Sequence, residues 1–177
     1  MVRRRATPAE ALAEQSAAVR TWVDGLTGNE LDRPSVLPGA SVRAVAARLD
    51  RSGTVGIVDV IVVADDLSRS LPEREPIPLV RAALAECSRA LAARLAERYP
   101  GRSVEVRVPP FAAVQCGIGD PGPTHTRGTP PNVVECSPET FFRLATGRIS
   151  WAETAAAGLV HASGLRADLS PALPWWP

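Results

Sequence analysis

The chain has 177 residues, of which 45% are hydrophobic and 22% are charged, and its formal net charge is +1 at pH 7. This length and composition indicate a folded protein of one domain or two small ones and exclude a disordered chain. The balanced charge argues against nucleic-acid binding, which needs a clustered basic surface.

Membrane, leader and metal signals are weak. No window offers the roughly 18 uncharged apolar residues of a membrane span. Met1 to Arg5 is not followed by the apolar core of a signal peptide, so we expect a cytoplasmic protein. Cys87, Cys116 and Cys136 have neither disulfide nor zinc-site spacing. We expect no cofactor and no metal.

The first part of the chain has helical signals. Thr7, Pro8 and Glu10 form a capping pattern that predicts a helix over residues 8–27. A turn with a polar connection is expected from Gly28, and a second, short helix from Ser41.

Residues 53–71 are ambiguous. Their Val and Ile content favours a strand, whereas the spacing of the apolar residues also fits a helix, so both alternatives stay open. Adjacent residues of a helix point in different directions. We therefore interpret Asp65 and Asp66 as solvent-exposed.

The Pro-rich residues 72–78 are interpreted as a linker. An Ala- and Leu-rich helix is predicted after it, over 79–99, and Pro100 and Gly101 end it. The pattern then changes to the alternation typical of half-buried strands. Four strands are predicted at 103–108, 111–116, 132–136 and 159–163, with helices at 137–147 and 151–157.

Few residues have the character of catalytic groups. The chain has no Gly-rich phosphate loop and only two His residues. His161 is interpreted as an ordinary surface or edge residue. His125 and Arg127 lie together in the long loop 117–131, which is either functional or held by its own hydrogen bonds. Phe141, Phe142 and Trp151 fit either a core or the wall of a cavity.

Several motifs occur in a recognisable order along the last 95 residues or so. They are Val104–Cys116, His125–Glu135, Phe142–Arg148 with Trp151–Ala152, and Ala162–Pro174. This series resembles the bacterial sterol-carrier-protein-like domain that is common in actinobacteria. The resemblance implies an α+β fold over 79–177, in which a small antiparallel or mixed sheet with covering helices encloses an apolar pocket for lipids or other hydrophobic molecules.

The resemblance also implies which residues bind the ligand. Six are expected near the cavity and two, His125 and Arg127, at its rim. The six are Val114, Cys116, Phe141, Phe142, Leu144 and Trp151.

Residues 1–71 resemble a shortened DinB-like helical bundle, as in mycothiol-dependent maleylpyruvate isomerases. The segments that match are 23–26, 37–39, 42–47 and 57–67. A long third helix is missing after Leu49-Asp50. The positions of the family's metal ligands hold Arg48, Asp59 and Val63, and neither Arg nor Val supplies a metal ligand. The resemblance therefore implies a bundle without a metal.

Three functions remain open. The first is a carrier for a small hydrophobic ligand, which we expect in preference to an enzyme. The second is a metal-independent isomerase or cyclase of secondary metabolism, with His125 as acid–base and Arg127 or Arg48 stabilising an anion. The third is a structural or interaction role through the bundle surface or Trp175-Trp176.

The shortened bundle also leaves apolar surface to cover. We expect the Val/Ile-rich segment 55–63 to pack on the C-terminal domain or on a second subunit. A homodimer is therefore predicted.

Overall fold

The computed structural model describes residues 4–50, 56–118 and 132–176. The chain divides into two compact units, Met1–Glu86 and Cys87–Pro177. Among the residues described, no helix is both long enough and apolar enough to cross a bilayer.

The described part of the first unit is helical. Its helices are α1 (Pro8–Asp24), α2 (Gly28–Asp32), α3 (Val42–Ala46), which continues into a 3-10 turn at Ala47–Asp50, and α4 (Ile57–Ser70). Their apolar sides form one core, made of Val19, Val42, Val45, Val60, Val63, Ala64, Leu67, Leu71 and Ile77.

Local capping explains where the first two helices begin. The Thr7 hydroxyl accepts from the Glu10 N–H, and the Glu10 carboxylate accepts from the Thr7 N–H, as predicted. The same reciprocal pair joins Thr27 to Glu30 and starts α2. The prediction of a turn and polar loop from Gly28 is therefore wrong, because this capping box stabilises a short helix there.

Residues 57–70 form a helix, which settles the choice between helix and strand. Val60 and Val63 pack in the first unit's own core. The predicted packing of segment 55–63 on the C-terminal domain or on a second subunit stays a prediction. Asp65 and Asp66 are both buried, so their interpretation as solvent-exposed is wrong. The reason is that α4 is buried on nearly every side rather than on one stripe.

Hydrogen bonds hold the Pro-rich segment that follows α4 against α1. The buried Gln15 side chain donates to the Pro78 carbonyl at 3.2 Å and accepts from the Val80 N–H at 2.7 Å. The Trp22 indole N–H donates to the Glu75 carbonyl at 2.9 Å. The segment therefore packs with the first unit, although it contains no helix or strand.

The second unit combines helices with a four-stranded sheet. The boundary between the units falls within α5 (Arg81–Arg98). The later elements are β1 (Val104–Val108), β2 (Ala112–Cys116), β3 (Val133–Cys136), α6 (Pro138–Ala145), α7 (Trp151–Ala156), β4 (Val160–Ser163) and a 3-10 turn at Ser170–Ala172. The predicted order of strands and helices is confirmed.

The sheet has the order β2-β1-β3-β4. The β1–β3 pair is parallel, and the β1–β2 and β3–β4 pairs are antiparallel. The sheet is thus mixed, and the α+β class is confirmed.

One face of this sheet is apolar and the other is polar. Val106 pairs with Val114 on β2 and with Val134 on β3, so the three side chains share the apolar face. Val106 and Val134 are fully buried. Glu105 and His161 lie on the opposite face, and His161 is exposed on the edge strand, as predicted. The alternation of apolar and polar residues along the strands therefore predicts the two faces of the sheet correctly.

Candidate functional site

A groove of about 530 Å³ lies in the second unit between α7, the end of α6 and the segment around the 3-10 turn. Most of its wall is apolar, and its size is within the range of about 300–1,000 Å³ that is typical of small-molecule sites. It is lined by Leu144, Gly147, Arg148, Ile149, Ser150, Trp151, Ala152, Glu153, Ser170, Leu173 and Pro174.

The turn between α6 and α7 shapes one end of the groove. Gly147 has φ +70°, a left-handed conformation that favours glycine, and it ends α6. A Cβ built there would lie 3.6 Å from the Pro174 ring. The turn therefore lies against the segment that forms the opposite wall.

Trp151 takes its position from the start of α7. The Ser150 hydroxyl caps this helix by accepting from the Glu153 N–H at 3.2 Å, and the Glu153 carboxylate accepts from the Ser150 N–H at 2.7 Å. Trp151 is the first residue after the cap and is half-buried. The capping box thus fixes the helix end that carries the groove's aromatic side chain.

Charged groups lie on a small part of the wall. The Arg148 guanidinium donates to the Thr146 carbonyl at 2.7 Å. The Glu153 carboxylate accepts from the Ser150 hydroxyl at 2.6 Å. The described residues of the lining include no His and no Cys. An apolar wall with a few polar groups can contact both parts of an amphipathic molecule.

The structure brings two of the predicted ligand residues, Leu144 and Trp151, together in the groove. Val114 and Cys116 lie instead on the apolar face of the sheet. Phe141 and Phe142 are fully buried side chains of α6 and are not part of the groove's lining. His125 and Arg127 lie outside the described residues.

The buried cysteines have the properties of core residues. Burial raises the pKa of the Cys116 thiol to about 11. Burial, together with the nearby Glu135 carboxylate, raises the pKa of Cys136 to about 12. Both thiols are therefore protonated near neutral pH. A cysteine that acts as a nucleophile must instead be a thiolate.

Sequence reasoning missed much of the groove. Ile149, Ser170, Leu173 and Arg148 were not among the predicted residues, although they line it. The motifs of the resemblance contain Arg148, Ser170 and Leu173 but not Ile149, and only tertiary packing brings residues 170–174 beside α7. A weak signal was present in Gly147, because a glycine between two capped helices marks a tight turn.

The three positions implied as metal ligands do not form a metal site. Arg48 forms an ion pair with Asp66, with 3.7 Å between Nη1 and Oδ2. The Asp59 carboxylate accepts from the Gly56 N–H at 2.9 Å, and Val63 is buried in the core. A cation beside Arg48 would meet like charge, so these residues do not fit the metal. In the described ranges, no three His, Cys, Asp or Glu residues form a group that could hold a metal ion.

A mixed sheet with one apolar face defines the second unit as an α+β domain, and a largely apolar groove lies between its helices. The family model described as "Bacterial SCP ortholog" matches residues 80–175. The chain belongs to this family of sterol-carrier-like proteins. A search of curated proteins found no match to the chain.

Proposed function

We propose that the second unit binds a small hydrophobic molecule, such as a lipid, in the groove between α6, α7 and residues 170–174. The observation that carries the proposal is the apolar wall formed by the half-buried side chains of Ile149, Trp151 and Leu173. Membership of the SCP family supports the same role, although a fold by itself does not fix a function.

The polar groups of the groove favour an amphipathic ligand. Arg148 supplies a positive charge beside the apolar wall, and Ser170 supplies a hydroxyl. A carboxylate or phosphate at one end of the ligand would pair with Arg148, while the apolar part would contact Trp151. The contact area of the apolar part would supply most of the binding free energy.

The alternative of a metal-independent isomerase or cyclase has less support. It depends on His125 and Arg127, which lie outside the described residues. Arg48, the other proposed anion-stabilising group, is paired with Asp66. No specific observation in the described part favours this reaction over binding.

A fluorescent fatty acid, cis-parinaric acid, tests the proposal by titration into the full-length protein. The substitution Ile149→Glu places a charge on the groove wall and is expected to weaken binding about tenfold or more, which is about 1.4 kcal/mol. Leu165→Glu is the matched control, because Leu165 is an exposed leucine of the same unit and does not line the groove.

Saturable binding that Ile149→Glu weakens and Leu165→Glu leaves unchanged supports the proposal. Absence of saturable binding, or equal loss in the two variants, contradicts it. Native mass spectrometry of the purified protein before and after organic extraction would identify a bound ligand directly.

The homodimer and the cytoplasmic location stay predictions. Sedimentation of the protein at micromolar concentration tests the first, and a monomer there would contradict it.

A further inference from the structure

Trp175 is the largest fully buried side chain in the described part of the chain. Its ring lies 5.4 Å from the Phe141 ring, centroid to centroid, with 53° between the planes. Its indole N–H donates to the Leu91 carbonyl at 3.2 Å. The indole thus fills a space with an aromatic wall and a hydrogen-bond acceptor, and its buried position differs from the interaction surface that the third hypothesis assigned to Trp175 and Trp176.

This space and the groove are neighbours. Leu144 lines the groove, and Phe141 lies one turn earlier on the same side of α6. Pro174, the last residue of the opposite wall, directly precedes Trp175. One short segment therefore forms the groove's wall and places the indole beside the groove.

Hydrogen bonds hold the backbone of Trp175 and Trp176 to Ala145 and Arg98. The N–H groups of Trp175 and Trp176 both donate to the Ala145 carbonyl, at 3.2 and 3.0 Å. The Trp175 carbonyl accepts from the Arg98 guanidinium at 3.2 Å. The first two bonds share one acceptor, so their loss costs less than that of two independent bonds.

We propose that the space filled by the Trp175 indole is the inner subsite of the groove, and that a ligand reaches it by displacing the indole. The inference rests on the proposed function and names its ligand class. The ligand is a flat aromatic ring with one N–H or O–H donor and an apolar extension. The ring replaces the indole against Phe141, the donor bonds to the Leu91 carbonyl, and the extension lies along Trp151.

The apolar extension is needed for energetic reasons. The indole is tethered, so its effective concentration at the subsite is in the millimolar range or above. A ligand that consists of the aromatic ring alone makes no contacts in the subsite that the Trp175 indole does not already make. The extension adds contacts in the groove that Trp175 does not make, and these offset the displacement.

Fluorine NMR of the full chain labelled with fluorotryptophan tests the displacement, with resonances assigned by single Trp→Phe variants. The probes are para-octylphenol, para-octylanisole, which lacks the O–H donor, and decanoate, which lacks the ring. We expect para-octylphenol to move the Trp175 resonance from a buried to a solvent-exposed position. The anisole is expected to bind about threefold to tenfold more weakly, because one hydrogen bond is lost.

A substitution supplies a second measurement. Trp175→Leu removes the competing ring and is expected to tighten para-octylphenol binding about fivefold or more, since less of the ligand's binding free energy is spent on displacement. Trp176→Leu is the matched control, because Trp176 is a half-buried neighbour outside the subsite and the groove lining.

The outcomes separate the two proposals. If para-octylphenol shifts the Trp151 resonance while Trp175 stays protected, the inner subsite is wrong and groove binding stands. If folded Trp175→Leu binds no more tightly than the unsubstituted chain, the inner subsite is also wrong. If none of the three probes binds, both the inner subsite and the proposed function are wrong. The resonance measurement uses the native sequence. It therefore tests whether the ligand displaces the indole even if Trp175→Leu does not fold.

Discussion

The Arg48 guanidinium reaches Asp66 across the first unit, with 3.7 Å between Nη1 and Oδ2, although the Asp66 side chain is fully buried. Arg48 itself is 39% exposed. A buried carboxylate is costly to desolvate, and a nearby cation offsets part of this cost. The pair therefore links the turn after α3 to the buried helix α4.

Replacing Arg48 by methionine is expected to destabilise the protein by about 1–3 kcal/mol, less than for a fully buried pair because water partly screens Arg48. Urea unfolding measures the change. The control is Arg43→Met, which breaks the exposed Arg43–Asp32 pair and is expected to cost under about 1 kcal/mol. Equal losses in the two variants would contradict the structural role of the Arg48–Asp66 pair.

Burial of Asp65 and Asp66 shows where sequence reasoning fails. Periodicity assigns one apolar stripe to a helix, but α4 is buried on nearly every side. Whether a helix lies at the surface or in the interior depends on its tertiary neighbours. The short apolar run 57–63 was equally consistent with a strand, since strand propensity and helical spacing gave opposite answers.

Local signals were the reliable part of the sequence. The caps at Thr7, Ser137 and Ser150 are hydrogen bonds between residues three apart, so sequence alone reveals them. Thr27 and Glu30 carry the same pattern and were overlooked. The contact of Trp175 with Leu91 joins residues far apart in the chain, and no local pattern could reveal it.

Gly101 and Gly117 pack backbone to backbone beside the sheet, and this contact leaves no room for a side chain. A Cβ on Gly117 would lie 2.6 Å from the Pro100 carbonyl oxygen. Gly117→Ala is therefore expected to lower the free energy of unfolding by about 1–3 kcal/mol, as in other overpacked sites. Urea denaturation measures this change.

Gly28→Ala provides the comparison, because a Cβ there meets nothing within 4 Å. Its effect is expected to stay within about 0.5 kcal/mol. If Gly117→Ala lowers the free energy of unfolding no more than Gly28→Ala does, the backbones at Gly101 and Gly117 do not approach as closely as the structure indicates.

Acid is expected to weaken the first unit through Glu30. The hydrogen-bonded Arg74 side chain, and then the Thr27 N–H and hydroxyl, lower the pKa of Glu30 from about 4.5 to about 2. Since the folded pKa is the lower one, this contribution to stability is complete above about pH 4.5 and is lost as pH falls towards 2. Glu10 has the same direction, led by its bond to the Thr7 N–H.

The melting temperature of Glu30→Gln should fall less steeply over this acid range than that of the unsubstituted protein. Glu97→Gln is the control, since Glu97 forms an exposed pair with Arg94 on α5. Identical pH profiles for the unsubstituted protein and Glu30→Gln would show that Glu30 has no such role.

The three cysteines are expected to be inert in the folded protein. Cys87, Cys116 and Cys136 are all buried. Burial raises the pKa of Cys116 to about 11 and, with Glu135, that of Cys136 to about 12. The folded pKa values are the higher ones, so the stability from burying these thiols is present below their ordinary pKa near 9 and is lost as pH rises through 11 to 12.

Reaction with a thiol reagent at mildly alkaline pH tests this expectation. An exposed cysteine introduced as Ala93→Cys on α5 is the reference for an accessible thiol. Cys116 and Cys136 should react at least about a hundredfold more slowly than this reference, because little thiolate is present and access is blocked. All the cysteines should react after denaturation. Rapid labelling of Cys116 in the folded protein, identified by mass spectrometry, would instead mark it as an accessible thiol and remove the ground for treating it as part of the apolar core.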